Sequence, residues 1–343
     1  MELEQLNTVL DGLKISGRCV GHNRHRHLAT YDIELNPGTM VSRIERRTRE
    51  IALGIKSETS PIVKVMPKSG RVRLQVAMEQ AQALPFSELF KASEIPSIED
   101  NFLPLVLGET DEGNKLWIDL NKHPHTLVAG ATGSGKSVFL RTVIANIARL
   151  KSMKARNIQL FLADPKRVEF NHYDKLRGFA SYVSYTYETT MTMLNLLHEK
   201  MENRYAVLAN KGVQSLTEAP YLFPQIVVVI DEVADLMMQD KRTHAFEQAI
   251  VKLAQKARAA GIYLVLATQR PSKEILTGLI KANFPARVSC KVSSRVDSQI
   301  MLDSPGAESL LGRGDALLQS PVSDRVRFQA AYCEPEDIIR DYN

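Results

Sequence analysis

The chain has 343 residues, 44% of them hydrophobic and 24% charged, with a net charge of +5. That is the composition of an ordinary globular protein, and the length predicts about two domains, each able to bury its own core. Cys19, Cys290 and Cys333 are far apart and odd in number, which excludes a disulfide framework or a cysteine metal site and points to a reducing compartment. No apolar run approaches the roughly 18 residues of a membrane span, and no signal-peptide core opens the chain. The expectation is a cytoplasmic protein without a membrane segment. The mild positive charge permits a nucleic-acid partner without establishing one.

In chain order, Ala29 to Leu35 alternates apolar and polar side chains as a half-buried strand does, and Asn36-Pro37-Gly38 ends it in a turn. Met40 to Ile55 sets Val41, Ile44, Ile51 and Ile55 on one helical face, with Arg43, Arg46, Arg47 and Arg49 off it. Ile62–Met66 and Arg71–Val76 read as two further strands around Pro67 and Gly70. Residues 1–100 are thus predicted to be a small α+β domain. His22, His25 and His27 interleave with Arg24 and Arg26; they read as a basic surface turn rather than a metal site, and the arginine-rich helix as a solvated face. Residues 85–115, rich in Pro and acidic groups, read as a linker and the entry to a second domain spanning 101–343.

From residue 116 strand and helix patterns alternate, the signature of an α/β domain with a mostly parallel sheet covered by helices on both faces. Strands are expected at 126–130, 158–163, 226–230, 262–267 and 286–292, and helices at 136–150, 188–210 and 243–260. Between the first strand and first helix lies Gly130-Ala131-Thr132-Gly133-Ser134-Gly135-Lys136-Ser137, a full match to G-x-x-x-x-G-K-[ST]. Strand, glycine-rich turn and helix N-terminus in that order define a P-loop. Its amides curl around phosphates and the helix dipole favours their charge. Lys136 is then expected to reach the β- and γ-phosphates of ATP, and the Ser137 hydroxyl to bind Mg²⁺.

Ile226 to Ile230 is a continuous apolar run, as in a strand buried on both faces, and it ends in Asp231-Glu232. Carboxylates at that end of a strand sit where α/β sheets place catalytic groups. Asp231 is expected to hold Mg²⁺ and Glu232 to polarise the attacking water. The next strand, Tyr263 to Ala267, ends in Thr268-Gln269-Arg270. In motors on a RecA-like core a polar residue here senses the γ-phosphate, which singles out Gln269. Gly261 reads as the residue just past a helix, leaving Arg258 in the last turn. A cation there suits the helix dipole, and it is also a candidate arginine finger for a neighbouring subunit.

Several long, ordered stretches resemble the FtsK/SpoIIIE double-stranded DNA translocases: His125–Ser137, Asp164-Pro165-Lys166, Val229–Met238, Leu253–Gly261, Leu266–Pro271, Gly278–Asn283 and Gly306–Asp315. The resemblance covers most of the chain from about 100 to 335 and, more weakly, the N-terminal module through Leu35–Gly38. It implies a RecA-like P-loop ATPase domain working as a homo-hexameric ring around duplex DNA. It also implies Walker A roles for Lys136 and Ser137, Walker B roles for Asp231 and Glu232, a trans-acting finger at Arg258, and pore-facing cations at Arg270, Lys281 and Arg295. Such cations would track phosphates without reading bases. The family's membrane segments and C-terminal winged helix have no counterpart here, and residues 211–224 are shorter than in chromosomal members. The expectation is therefore a shortened form or a small stand-alone relative from a phage or mobile element. Two alternatives share these residues: an ATP-switched DNA-binding factor, and a protein-secretion ATPase.

Overall fold

A computed structural model of the protein describes residues 2–26, 28–78, 83–90, 103–152, 157–173, 176, 178–321 and 323–342. Helix α1 (Glu2–Gly12) is followed by β1 (Gly17–Arg24), β2 (Leu28–Leu35), α2 (Val41–Arg46), α3 (Thr48–Gly54), β3 (Ile62–Met66) and β4 (Arg71–Ala77). The four strands pair antiparallel in the order β1-β2-β4-β3. Leu6, Leu10, Ile33, Ile44, Ile51 and Leu74 fill the core between this sheet and its helices. The single helix expected over 40–55 is two. Arg47 leaves the helical region (φ −113°, ψ 16°), its amide bonding back three residues to Ile44, and Ile44 and Ile51 on either side of the break are both in the core. His22 on β1 lies against Tyr31, ring centroids 4.6 Å apart; His27 is outside the described residues.

After α4 (Phe86–Leu89) come β5 (Pro104–Thr110), β6 (Lys115–Asp119), β7 (His125–Ala129), α5 (Lys136–Ser152), β8 (Ile158–Ala163), β9 (Tyr182–Ser184) and α6 (Tyr187–Lys211). Then follow β10 (Gln225–Ile230), α7 (Val233–Gln239), α8 (Ala245–Lys256), β11 (Ile262–Thr268), α9 (Gly278–Asn283), β12 (Ala286–Cys290), α10 (Arg295–Leu302), β13 (Asp315–Ser320), β14 (Ser323–Ala330) and α11 (Pro335–Tyr342). These strands make a second sheet in the order β6-β5-β14-β13-β12-β7-β11-β10-β8-β9. From β12 to β9 every pairing is parallel, and from β12 back to β6 every pairing is antiparallel. Part of the expected linker is therefore strand: β5 is anchored to β14, and the backbone of Gln329 leaves no room for a Cβ at Gly108.

Alternation along β10 explains its unbroken apolar run. Val227 and Val229 enter the core under α5, while Ile226, Val228 and Ile230 enter the one under α6 and α8. Each such side chain contributes roughly 1.5–3 kcal/mol on burial. β11 lies between β7 and β10, so the P-loop and the acidic strand end are not on neighbouring strands.

The two sheets touch through polar groups. Gln75 Nε2 donates to Asp111 at 2.5 Å, and Arg73, held by Asp32 of its own sheet at 2.6 and 3.1 Å, donates to Glu112 at 2.9 Å. Arg327 makes a fully buried two-pronged ion pair with Asp315 at 2.7 and 2.9 Å and also donates to the Gln75 carbonyl. No helix among the described residues is long and apolar enough to cross a membrane.

Candidate functional site

The loop from Gly130 to Gly135 leaves β7 and turns directly into α5, so its amides and the helix N-terminus face one point. Gly135 has φ +101°, and any Cβ there would strike the backbone of Gly314; only glycine serves. The loop is pinned on both sides. Gly130 N–H donates to the Thr268 carbonyl at 3.2 Å, and Gly314 N–H to the Ser134 carbonyl at 3.0 Å. A cleft of about 680 Å³ opens here, bordered by Thr132, Lys136, Ser137, Gln269 and Arg313 and, further out, by Leu84 and Tyr332.

Lys136, 3% exposed, forms an ion pair with Asp231, 2% exposed. Burial holds the Asp231 carboxyl above its ordinary range, with the Lys136 charge opposing it. Glu232, 1% exposed, occupies the left-handed region (φ 56°, ψ 64°), unusual for a residue with a side chain. That backbone turns the carboxylate toward β11, where Thr268 Oγ1 (2.9 Å) and the Gln269 N–H (3.2 Å) donate to it. Lys166 Nζ donates from the other side at 3.0 Å. For Lys166, burial pulls the pKa down, but the Glu232 bond and charge outweigh it and the ammonium is held above its ordinary value.

Lys166 is a site residue the sequence reading did not assign a role. Its signal was the Asp164-Pro165-Lys166 stretch at the end of β8, the strand beside β10. Buried Asp164 shapes that turn by accepting from the amides of Lys166, Glu169 and Phe170 at 2.8–3.2 Å. Gln269 joins the halves of the site: its amide N–H holds Glu232, and its side-chain oxygen accepts from Thr132 Oγ1 of the P-loop at 3.2 Å.

Arg258 stands elsewhere. Regular α8 ends at Lys256, short of the expected residue 260, and a Schellman turn completes it. Gly261 N–H bonds to the Arg258 carbonyl, and Ile262 N–H to that of Ala257. Arg258 is thus at the start of β11 and Gln269 just past its end, about 20 Å away at ~3.3 Å per residue. It borders a separate polar cavity of about 490 Å³ with Asp119, Lys122 and Thr217, and its Nε donates to the Asn121 carbonyl at 3.1 Å.

Arg270, Lys281 and Arg295 occupy three different surroundings. Arg270 follows β11 and approaches Met238 Sδ at 4.0 Å. Lys281, with a side chain only 20% exposed, is ion-paired to Asp303, which also binds Arg287. Arg295 borders a groove beside Glu45 and Thr48 of the N-terminal module. Lys281 lies away from the nucleotide end of the sheet: α10 runs back from the end of β12 and delivers Asp303 to Arg287 near that strand's start.

The parallel sheet, the P-loop and the acidic strand end two strands away define a P-loop ATPase of RecA-like fold. The FtsK/SpoIIIE family model matches residues 94–222 and 217–273. The chain belongs to the FtsK/SpoIIIE family. It is 36% identical over 329 residues to the DNA translocase FtsK of Chlamydia muridarum, covering 91% of this chain and 41% of that protein. It is 34% identical over 345 residues to the DNA translocase SftA of Bacillus subtilis, covering 98% and 36%. The chain thus spans about two fifths of the length of these relatives. Among solved structures, the conjugation coupling protein TcpA of pCW3, in its monomer form with ATPγS, superposes with a TM-score of 0.66 at 23% identity, covering 99% of both chains. The cytoplasmic domain of the type VII secretion ATPase EccC of Thermomonospora curvata gives 0.65 at 24% identity, over 76% of this chain and 34% of that one. These two likenesses bear on the fold alone.

Proposed function

We propose that the protein is an ATP-driven translocase of double-stranded DNA, acting as a ring of identical subunits with residues 101–343 as its motor domain. The observation that carries this is the Glu232 carboxylate, buried and held by three donors beside a P-loop whose lysine is already directed at Asp231. Phosphoryl transfer needs positioned charge rather than covalent chemistry, and this set supplies it. The Lys136 ammonium would exchange Asp231 for the β- and γ-phosphates. Glu232 would take the proton of the attacking water, and Gln269 would report the γ-phosphate to Thr132 and Glu232 together. The Ser137 hydroxyl and Asp231 carboxylate are hard oxygen donors that fit Mg²⁺, which typically takes one or two protein oxygens beside phosphates and water. When bound, that ion would neutralise phosphate charge in the transition state.

In a ring, the face carrying Arg258 would meet the neighbouring subunit's cleft. Mixing Arg258→Ala with Glu232→Gln subunits is therefore expected to restore part of the ATPase activity that each lacks alone, because some junctions pair an intact Glu232 with an intact Arg258. A finger used this way contributes roughly 10³-fold or more to the rate. No rescue in well-mixed rings would leave Arg258 as a helix-end residue.

The functional test is duplex-stimulated hydrolysis together with displacement of a third strand from a duplex. A motor does both, whereas an ATP-switched binder or a secretion ATPase displaces nothing. Arg270→Ala and Arg295→Ala should each weaken duplex binding to a similar degree on any sequence and flatten its salt dependence, since fewer counterions are released. Lys281→Ala should do less, its charge being held by Asp303. Unchanged salt dependence in all three variants would remove these residues from the DNA path.

A further inference from the structure

We infer that Arg313 binds the polyphosphate of the nucleotide in the same subunit, as a second cation opposite Lys136. The inference rests on the nucleotide reading of the cleft and names a contact which that reading leaves unassigned.

Four observations carry it. Gly312, Arg313 and Gly314 are three consecutive residues at positive φ (87°, 53° and 91°). Such a run is costly, most of all at the one residue with a side chain, and persists only where the surroundings hold it. The surroundings do hold it: Asp315, locked to Arg327, accepts from the Leu311 amide at 2.9 Å, and Gln329 Nε2 donates to the Arg313 carbonyl at 2.9 Å. The loop is also seated on the P-loop, through the Gly314 N–H bond to Ser134 and the close approach to Gly135. Finally, the Arg313 side chain borders the cleft and is exposed.

Among the described residues its charge has no carboxylate partner. The other cations of the cleft have carboxylate partners, Lys136 with Asp231 and Arg141 with Glu334 at 2.8 Å. The cleft's remaining carboxylate, Glu169, makes no ion pair with Arg313 among the described residues. A guanidinium on a rigid loop, without an anion and next to a phosphate cradle, suits forked recognition of phosphate oxygens. Because the loop is built on the P-loop, its position follows the phosphates rather than the base.

The test compares binding of ATPγS, ADP and AMP to the full chain, the Arg313→Gln and Arg313→Lys variants, and Lys136→Ala. Arg313→Gln should lose about 10- to 100-fold in ATPγS affinity, the range for a charged hydrogen bond. The loss should be smaller for ADP and absent for AMP, with an unchanged thermal midpoint, and Arg313→Lys should recover part of it. Equal loss for all three nucleotides, or none, would overturn the assignment. Parent protein that fails to bind ATPγS would remove the nucleotide reading itself. Parent binding that is weakened in Lys136→Ala but unaltered in Arg313→Gln would overturn the Arg313 contact alone.

Discussion

Lys136→Ala is expected to reduce ATP hydrolysis at least ~10²-fold, on the scale of removing one preorganised charge donor from an active site. It should also weaken nucleotide binding. The ion pair with Asp231 adds a second consequence, on stability. Without Lys136 the buried Asp231 carboxylate has lost the group that opposes its desolvation, so its pKa, already above the ordinary value, rises further. A carboxyl with a raised pKa keeps its proton in the fold where the unfolded chain has released it. The variant's stability should therefore fall as pH rises from the ordinary carboxylate range toward neutrality. An uncompensated buried charge costs about 3–5 kcal/mol, so thermal unfolding should separate variant from parent more at pH 8 than at pH 5. Adding Asp231→Asn to Lys136→Ala should close most of that gap without restoring turnover. A pH-independent difference would show that the pair is not what holds Asp231 ionised.

Glu232→Gln should bind ATP and turn it over very slowly. Loss of a positioned general base costs roughly 10²- to 10⁴-fold. Its amide oxygen can still accept from Thr268 and Gln269, so the loop geometry should persist. Its NH₂ group, however, would meet the Lys166 ammonium in place of the ion pair at 3.0 Å. Single-turnover hydrolysis and ATPγS affinity separate the two outcomes. A slow chemical step with near-parent affinity supports the base, whereas poor nucleotide binding would place Glu232 at the metal instead.

What was legible in the sequence was whatever is local. The P-loop occupies eight consecutive residues between a strand and a helix, and the burial of β10 on both faces is written in its apolar run. Asp231 and Glu232 could be picked out because they end that run. What was not legible is pairing across distance. No window around 226–232 contains β11, yet Thr268 at its end and Gln269 just past it supply two of the three donors to Glu232. Lys166 supplies the third from the end of β8, where an Asp-Pro-Lys turn on its own says nothing of its target. β5 hid in a proline-bearing stretch, and one of its two partner strands, β14, is more than two hundred residues away. The split between α2 and α3 was equally invisible, since Ile44 and Ile51 keep helical spacing across the break.

The pairing of β5 with β14 has a consequence for synthesis. Strand 104–110 leaves the ribosome well before its partner 323–330, and at about 5–20 residues per second it waits on the order of 10–40 s. During that interval the edge of β5 that Gln329 and Ala330 will cover is bare, an open template for pairing with a neighbouring nascent chain. The antiparallel wing is therefore the part of the molecule whose assembly most depends on translation speed and on crowding along the messenger RNA.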